Sequence, residues 1–185
     1  MKKFIPLIIS VLAVLIIAAV LFAVVAPMSK DDFTESNLPD DSPVKDLAKD
    51  FTVYNEKGEA VALSSMQGKP TVVNFWATWC GYCTLEMPDF EIAYGEYKDE
   101  VNFMMVDLTN ETETKEKASD FIKEKGYTFP VYFDQDLSAY TAYNLTSIPR
   151  TLIILADGTL MYEHIGAMDR ITLASKIEAA IEKSN

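Results

Sequence analysis

Cys80 and Cys83 are the only cysteines in the chain, three residues apart in Trp79-Cys-Gly-Tyr-Cys83. They directly follow the apolar, β-rich run Thr71–Trp76 and open a stretch of helical character that reaches Tyr97. The first sulfur then sits at a helix N-terminus, where free N–H groups and a partial positive charge stabilise a thiolate. The spacing puts the second sulfur within bonding reach on the same turn. Disulfide exchange requires an attacking thiolate and a resolving thiol, and it needs no cofactor beyond the two sulfurs. Three other readings compete. A structural zinc site needs four ligands, but there is no second cysteine pair and His164 is the only histidine. A structural disulfide closing so short a loop constrains the unfolded chain little. A copper-binding assembly factor would want His164 as a third ligand, and nothing in its local sequence supports more than an ordinary strand residue. Redox chemistry is therefore favoured and no metal site is expected. No Pro-x-x-x-Thr-x-x-Cys pattern surrounds either cysteine, which argues against a peroxidase.

The elements that must position this pair can be read coarsely. Phe51–Tyr54 and Glu59–Leu63 flank Asn55-Glu-Lys-Gly58 as a hairpin. Thr71–Trp76 and Val101–Leu108 suit buried central strands. The helix from Cys80 to Tyr97 holds Pro88, a candidate kink. Asn110 with Glu113 reads as the capped start of a helix that ends at Gly126. Pro130–Phe133 is a short strand and Asp136–Tyr143 a short helix. Arg150–Ala156 and Thr159–Ile165 pair around the turn Asp157-Gly158. Asp169 caps a last helix with Ile171, Ala174, Ile177 and Ile181 on one face. This order predicts an α/β fold, a mixed central sheet with helices on both faces and an N-terminal β-hairpin.

The two ends of the chain differ in kind. From Phe4 to Ala26 only Pro6 and Ser10 lie outside the hydrophobic set, and no residue is charged. As a helix this run spans about 34 Å, enough for a hydrocarbon core of about 30 Å. Lys2 and Lys3 precede it, so residues 1–3 are expected to be a cytoplasmic stub, with everything after residue 26 outside. The run exceeds the apolar region of a cleaved signal, and Pro27 is a poor neighbour for cleavage. An uncleaved signal-anchor at 4–26 is the expectation. Residues 27–49 read as an acidic flexible linker, and 50–185 as the globular domain. Beyond residue 26 the chain carries 14 basic and 28 acidic groups. That balance argues against nucleic-acid binding, which needs clustered positive charge.

The segment Lys69-Pro-Thr-Val-Val-Asn-Phe-Trp-Ala-Thr-Trp-Cys-Gly-Tyr-Cys-Thr-Leu-Glu-Met-Pro88 resembles the membrane-anchored thioredoxin-like proteins of the TlpA/ResA group. Ser147-Ile-Pro-Arg-Thr-Leu-Ile-Ile-Leu-Ala-Asp-Gly158 resembles the same group's second active-site segment. With the element order, the likeness covers about residues 50–185. It implies a thioredoxin-like fold and an extracytoplasmic thiol–disulfide oxidoreductase, in bacteria a reductant of protein disulfides. Electrons would arrive from a transmembrane donor of the CcdA/DsbD type and pass to apocytochrome c or another client outside the membrane. An oxidant of the same fold is the rival.

The resemblance also assigns residues. Ordinary thioredoxins carry a buried Asp six positions before the first cysteine; here that place is Asn74, which cannot ionise. Glu86, three residues after Cys83 and one turn along the same helix face, takes the place of a functional Glu in the group. Thioredoxin-like folds place a cis-proline beside the disulfide, which would be Pro149, although spacing alone reads that bond as trans. Ile148 would then offer its backbone to an extended client. Independently of the resemblance, Trp79 and Tyr82 read as an apolar rim around the sulfur, with packing as the alternative for aromatics beside a strand, and Gly81 between them as a further client-binding candidate. Two positions depart from the pattern: Arg150 stands where many relatives carry Thr, beside the client-binding loop, and Gly81-Tyr82 replaces the Glu-Pro of some relatives.

Overall fold

Thr71–Trp76 (β3) is buried along its whole length, as a strand must be when it is paired on both edges and covered on both faces. On one side it pairs in parallel with Asn102–Asp107 (β4), on the other antiparallel with Arg150–Ile154 (β6). The structure, a computed structural model, describes residues 46–184; the expected membrane span and most of the linker lie outside them. The remaining strands are Thr52–Tyr54 (β1), Ala60–Ala62 (β2), Val131–Phe133 (β5) and Leu160–Ile165 (β7). Together they make a seven-stranded mixed sheet in the order β2-β1-β5-β4-β3-β6-β7.

The period-two alternation of the strands sorts the core into two layers. Val72, Trp76, Phe103, Met105 and Ile153 face Gly81–Tyr97 (α1), Lys115–Lys125 (α2) and Arg170–Ser184 (α4). Val73, Phe75, Met104, Val106, Leu152 and Ile154 pack with Phe51, Ala139 and Tyr143, the last two from Ser138–Tyr143 (α3). Helices thus cover both faces, as the element order predicts.

Local chemistry moves several boundaries. Leu63 opens a 3-10 turn, Leu63–Met66, instead of ending a strand, because the Asp50 carboxylate draws in Ser64 by its N–H and its hydroxyl. Asn110 and Glu113 do not cap α2. Asn110 Oδ1 closes a turn by accepting from Thr112 and Glu113 N–H, Glu113 turns inward, and the Thr114 hydroxyl accepts from Lys117 N–H as the cap. Helix α3 starts after Leu137, and its free N–H groups at Ala139 and Tyr140 are taken by Asp134 rather than by Asp136. Helix α1 runs through Pro88 to Tyr97. Asp169 does cap α4, but the buried face is Leu173, Ile177 and Ala180, and Ile171 in the first turn is exposed. Asp46–Lys49, read from composition as the end of the linker, run beside the β6–β7 hairpin. Leu47 bridges Thr159, and Ala48 N–H donates to Gly158.

Candidate active site

Strand β3 delivers the chain to Cys80, the N-cap of α1. Its backbone is extended, and its sulfur accepts the Cys83 N–H at 3.2 Å. This is the helix-terminal placement that favours a thiolate. Cys80 and Cys83 are joined as a disulfide with their Cα atoms 5.2 Å apart. Cys80 keeps 6% of its surface exposed while Cys83 keeps none, so an incoming sulfur meets Cys80 first.

The second segment arrives from the start of β6. The Ile148–Pro149 bond is cis, and the Ile148 carbonyl oxygen lies 3.8 Å from Cys80 Sγ. The Pro149 carbonyl accepts from Gly166 N–H at 2.8 Å, which ties this loop to the end of β7. Four expected residues, Cys80, Cys83, Ile148 and Pro149, are therefore assembled in one place. Gly81 is exposed, as are Trp79 and Tyr82 at 60% and 71%. Trp79 and Ile148 form one end of a groove of about 570 Å3 whose walls include Leu108, Leu137, Tyr140 and Leu145 and carry no charged side chain. Tyr82 stands outside that groove.

Glu86 lies one helical turn beyond Cys83 and is 3% exposed. Its Oε1 accepts from Asn74 Nδ2 at 2.8 Å and its Oε2 from Met168 N–H at 2.7 Å. Burial pushes its carboxyl up to about 7; the Met168 and Asn74 hydrogen bonds pull it down, and the charge of Asp89 adds to the rise. The result is a buried group able to take or release a proton near neutral pH. Asn74 is fixed in turn by Thr151, whose hydroxyl oxygen accepts its other amide hydrogen at 3.1 Å.

The roles of Thr151, of the Met168 N–H and of a buried carboxyl pair, Asp107 with Glu113, do not follow from the sequence. Register explains the first: β3 and β6 pair Asn74 with Thr151, a contact across 77 positions that no local pattern reveals. Asp107 and Glu113 are both fully buried, and Glu113 accepts from Thr78 in the loop that leads to Cys80. Arg150 turns inward: its guanidinium pairs with Glu163, donates from Nη1 to the Tyr143 carbonyl at 2.7 Å and lies over the Tyr143 ring. His164 stacks on Tyr162 in β7.

Residues 44–163 match the model of the AhpC/TSA family. The chain is 34% identical over 121 residues to the thiol-disulfide oxidoreductase ResA of Halalkalibacterium halodurans, covering 65% of this chain and 68% of that one. To ResA of Oceanobacillus iheyensis it is 34% identical over 159 residues, 82% of this chain and 76% of the other. Among solved structures, a putative thiol:disulfide interchange protein DsbE from Chlorobium tepidum superposes with a TM-score of 0.66 at 27% identity, covering 76% of this chain and 97% of that one. The chain belongs to the AhpC/TSA family and, within it, to the ResA-like thiol–disulfide oxidoreductases of thioredoxin-like fold.

Proposed function

We propose that this oxidoreductase reduces protein disulfides outside the cell membrane, tethered there by the span expected at residues 4–26. The observation that carries the reading is the ordering of the site in depth: Cys80 with the only accessible surface of the pair, Cys83 fully enclosed, and the proton-exchanging Glu86 one turn behind it. In the reduced enzyme the Cys80 thiolate attacks one sulfur of a client disulfide. That S–S bond breaks, the second client sulfur leaves as a thiolate and takes up a proton, and a mixed disulfide joins Cys80 to the client. Glu86 accepts the proton of Cys83. The Cys83 thiolate then attacks Cys80, forming the Cys80–Cys83 bond and releasing the other client sulfur, which is protonated in its turn. The client gains two electrons and two protons, and the enzyme ends as the disulfide. A transmembrane donor of the CcdA/DsbD type returns the electrons. The uncharged groove beside Ile148 suits an unfolded, extended segment such as apocytochrome c offers.

The equilibrium reduction potential of Cys80–Cys83 tests the direction of transfer. A value near about −270 mV supports a reductant, and one near about −120 mV makes the enzyme an oxidant instead. Location is tested separately. The full-length protein should fractionate with membranes with its body open to external protease, and a mature chain beginning near Pro27 would exclude the anchor.

A further inference from the structure

Behind Glu86, Asn74 carries an unresolved demand. Its amide is 1% exposed; both hydrogens on Nδ2 are used, one by Glu86 and one by Thr151, whereas Oδ1 has no hydrogen-bond partner among the described residues. A buried amide held from one end only is free to turn unless that end is pinned. An amide turned the other way would present oxygen to the Glu86 carboxylate, which it would repel. While Glu86 is ionised the carboxylate itself pins the amide. Once Glu86 carries a proton that bond weakens, and the Thr151 hydroxyl is the fixed point that remains.

We propose that Thr151 is a positioning residue for the exchange reaction: its hydroxyl keeps the Asn74 amide aimed nitrogen-first at Glu86 and thereby sets the pH at which Glu86 passes protons to and from Cys83. Among the described residues the Thr151 hydroxyl makes no hydrogen bond to either sulfur, and it acts through Asn74. It belongs to β6, the strand that begins immediately after the cis-proline, so the client-binding loop and the proton acceptor share one support. The groups acting on Glu86 come from four directions: Asn74 from β3, Thr151 behind it from β6, the Met168 N–H from the β7–α4 connection, and the charge of Asp89 from α1 itself; beyond Thr151 the titratable His164 of β7 stands in register with it. Of these only Asn74 and Met168 stabilise the ionised carboxylate, so loosening Asn74 must move its titration upward.

The inference rests on Glu86 being the proton acceptor, and the experiment separates the two. The rate at which the reduced full-length protein reduces insulin disulfides is followed from mildly acid to mildly alkaline pH. Wild type is compared with Thr151→Val, Thr151→Ser and Glu86→Gln. Thr151→Val keeps the shape and removes the hydroxyl; its acid limb should move up by about one pH unit, as expected for losing support of one hydrogen bond to an ionised group. The alkaline plateau should be unchanged. Thr151→Ser restores the hydroxyl and should follow wild type, which a purely structural role for the methyl group would not allow. Thr151→Ala gives the same reading should Val disturb packing. If Glu86→Gln flattens the profile while the Val and Ala profiles superpose on wild type, Thr151 has no positioning role and the proton acceptor stands. A Glu86→Gln profile that superposes on wild type overturns the acceptor and this inference with it.

Discussion

Glu113 accepts two hydrogen bonds from Thr78, one from the backbone N–H at 2.5 Å and one from the hydroxyl at 2.7 Å. Thr78 lies two residues before Cys80, and Glu113 lies just before the N-cap of α2. A fully buried carboxylate therefore fixes the loop that presents the reactive sulfur, with Lys117 at 3.0 Å as its counter-ion. Removing one partner of such a group leaves buried donors unpaired.

The first prediction follows from that asymmetry. Glu113→Ala should lower the unfolding free energy by about 3 kcal/mol, whereas Lys117→Met, which removes a half-exposed counter-ion but leaves Glu113 its two Thr78 donors, should cost clearly less, about 1–2 kcal/mol. Urea melts of the two variants measure both. Equal losses would mean that the ion pair, rather than the grip on Thr78, holds the loop.

A second prediction concerns pH. Asp107 is fully buried; burial, then the negative charge of Glu113, pushes its carboxyl from the ordinary 3.8 up to about 8, and Glu86 rises from 4.5 to about 7 mainly by burial. In both cases the folded protein binds the proton more tightly than the unfolded chain. The stabilisation is complete below the unfolded values and is lost as pH climbs through about 8 for Asp107 and about 7 for Glu86. Asp107→Asn and Glu86→Gln have no proton to lose. The stability of each variant relative to wild type should therefore rise with pH inside its own window, with a limiting slope of about 1.4 kcal/mol per pH unit. Denaturant melts at several pH values supply the comparison, and a difference independent of pH would refute the burial argument.

The two sulfurs give a third. With Cys83→Ser, attack by Cys80 persists but resolution is lost, so mixed disulfides with client proteins should accumulate on Cys80. With Cys80→Ser the remaining thiol is fully buried, and at least tenfold fewer adducts, about the effect of a 1.4 kcal/mol barrier, are expected. Non-reducing electrophoresis counts them. Equal trapping would reverse the roles of the two cysteines.

How far these features were legible depends on the range of the interactions behind them. Cys80 and Cys83 announce themselves because their chemistry depends on three-residue spacing and on the strand that precedes them. The turn at Asp157-Gly158 is equally local, with Gly158 at φ 89° where a side chain would be strained. Asn74 and Glu86 stand out individually as a residue that cannot ionise and a carboxylate behind a cysteine. Their 2.8 Å contact, however, needs α1 packed on β3. Thr151 and the Met168 N–H join only once β6 and the β7–α4 connection close around that pair. Asn110 and Glu113 mislead for a related reason. Their spacing matches a capping box, but Thr114 competes for the cap and Glu113 is drawn away to Thr78, a partner 35 residues distant that sequence spacing does not register.

Arg150 supplies the last prediction. The guanidinium joins the end of α3, through the Tyr143 carbonyl and ring, to Glu163 in β7. Between Tyr143 and Arg150 runs the segment whose Leu145 and Ile148 line the groove beside Cys80. Arg150 itself is not part of the groove's lining, and its side chain is only 15% exposed. It should therefore influence client binding by holding the wall rather than by touching the client. Arg150→Thr gives up the clamp, and losing about 1 kcal/mol of groove order should raise KM for a protein disulfide about fivefold. Chemistry at the sulfurs is not involved, so kcat should stay within about twofold, the signature of binding lost equally from ground and transition states. Reduction of glutathione disulfide, too small to need the groove, serves as the control and should be unaffected. Equal slowing of both substrates would place the effect of Arg150 at the cis-proline and the disulfide instead of at the groove wall.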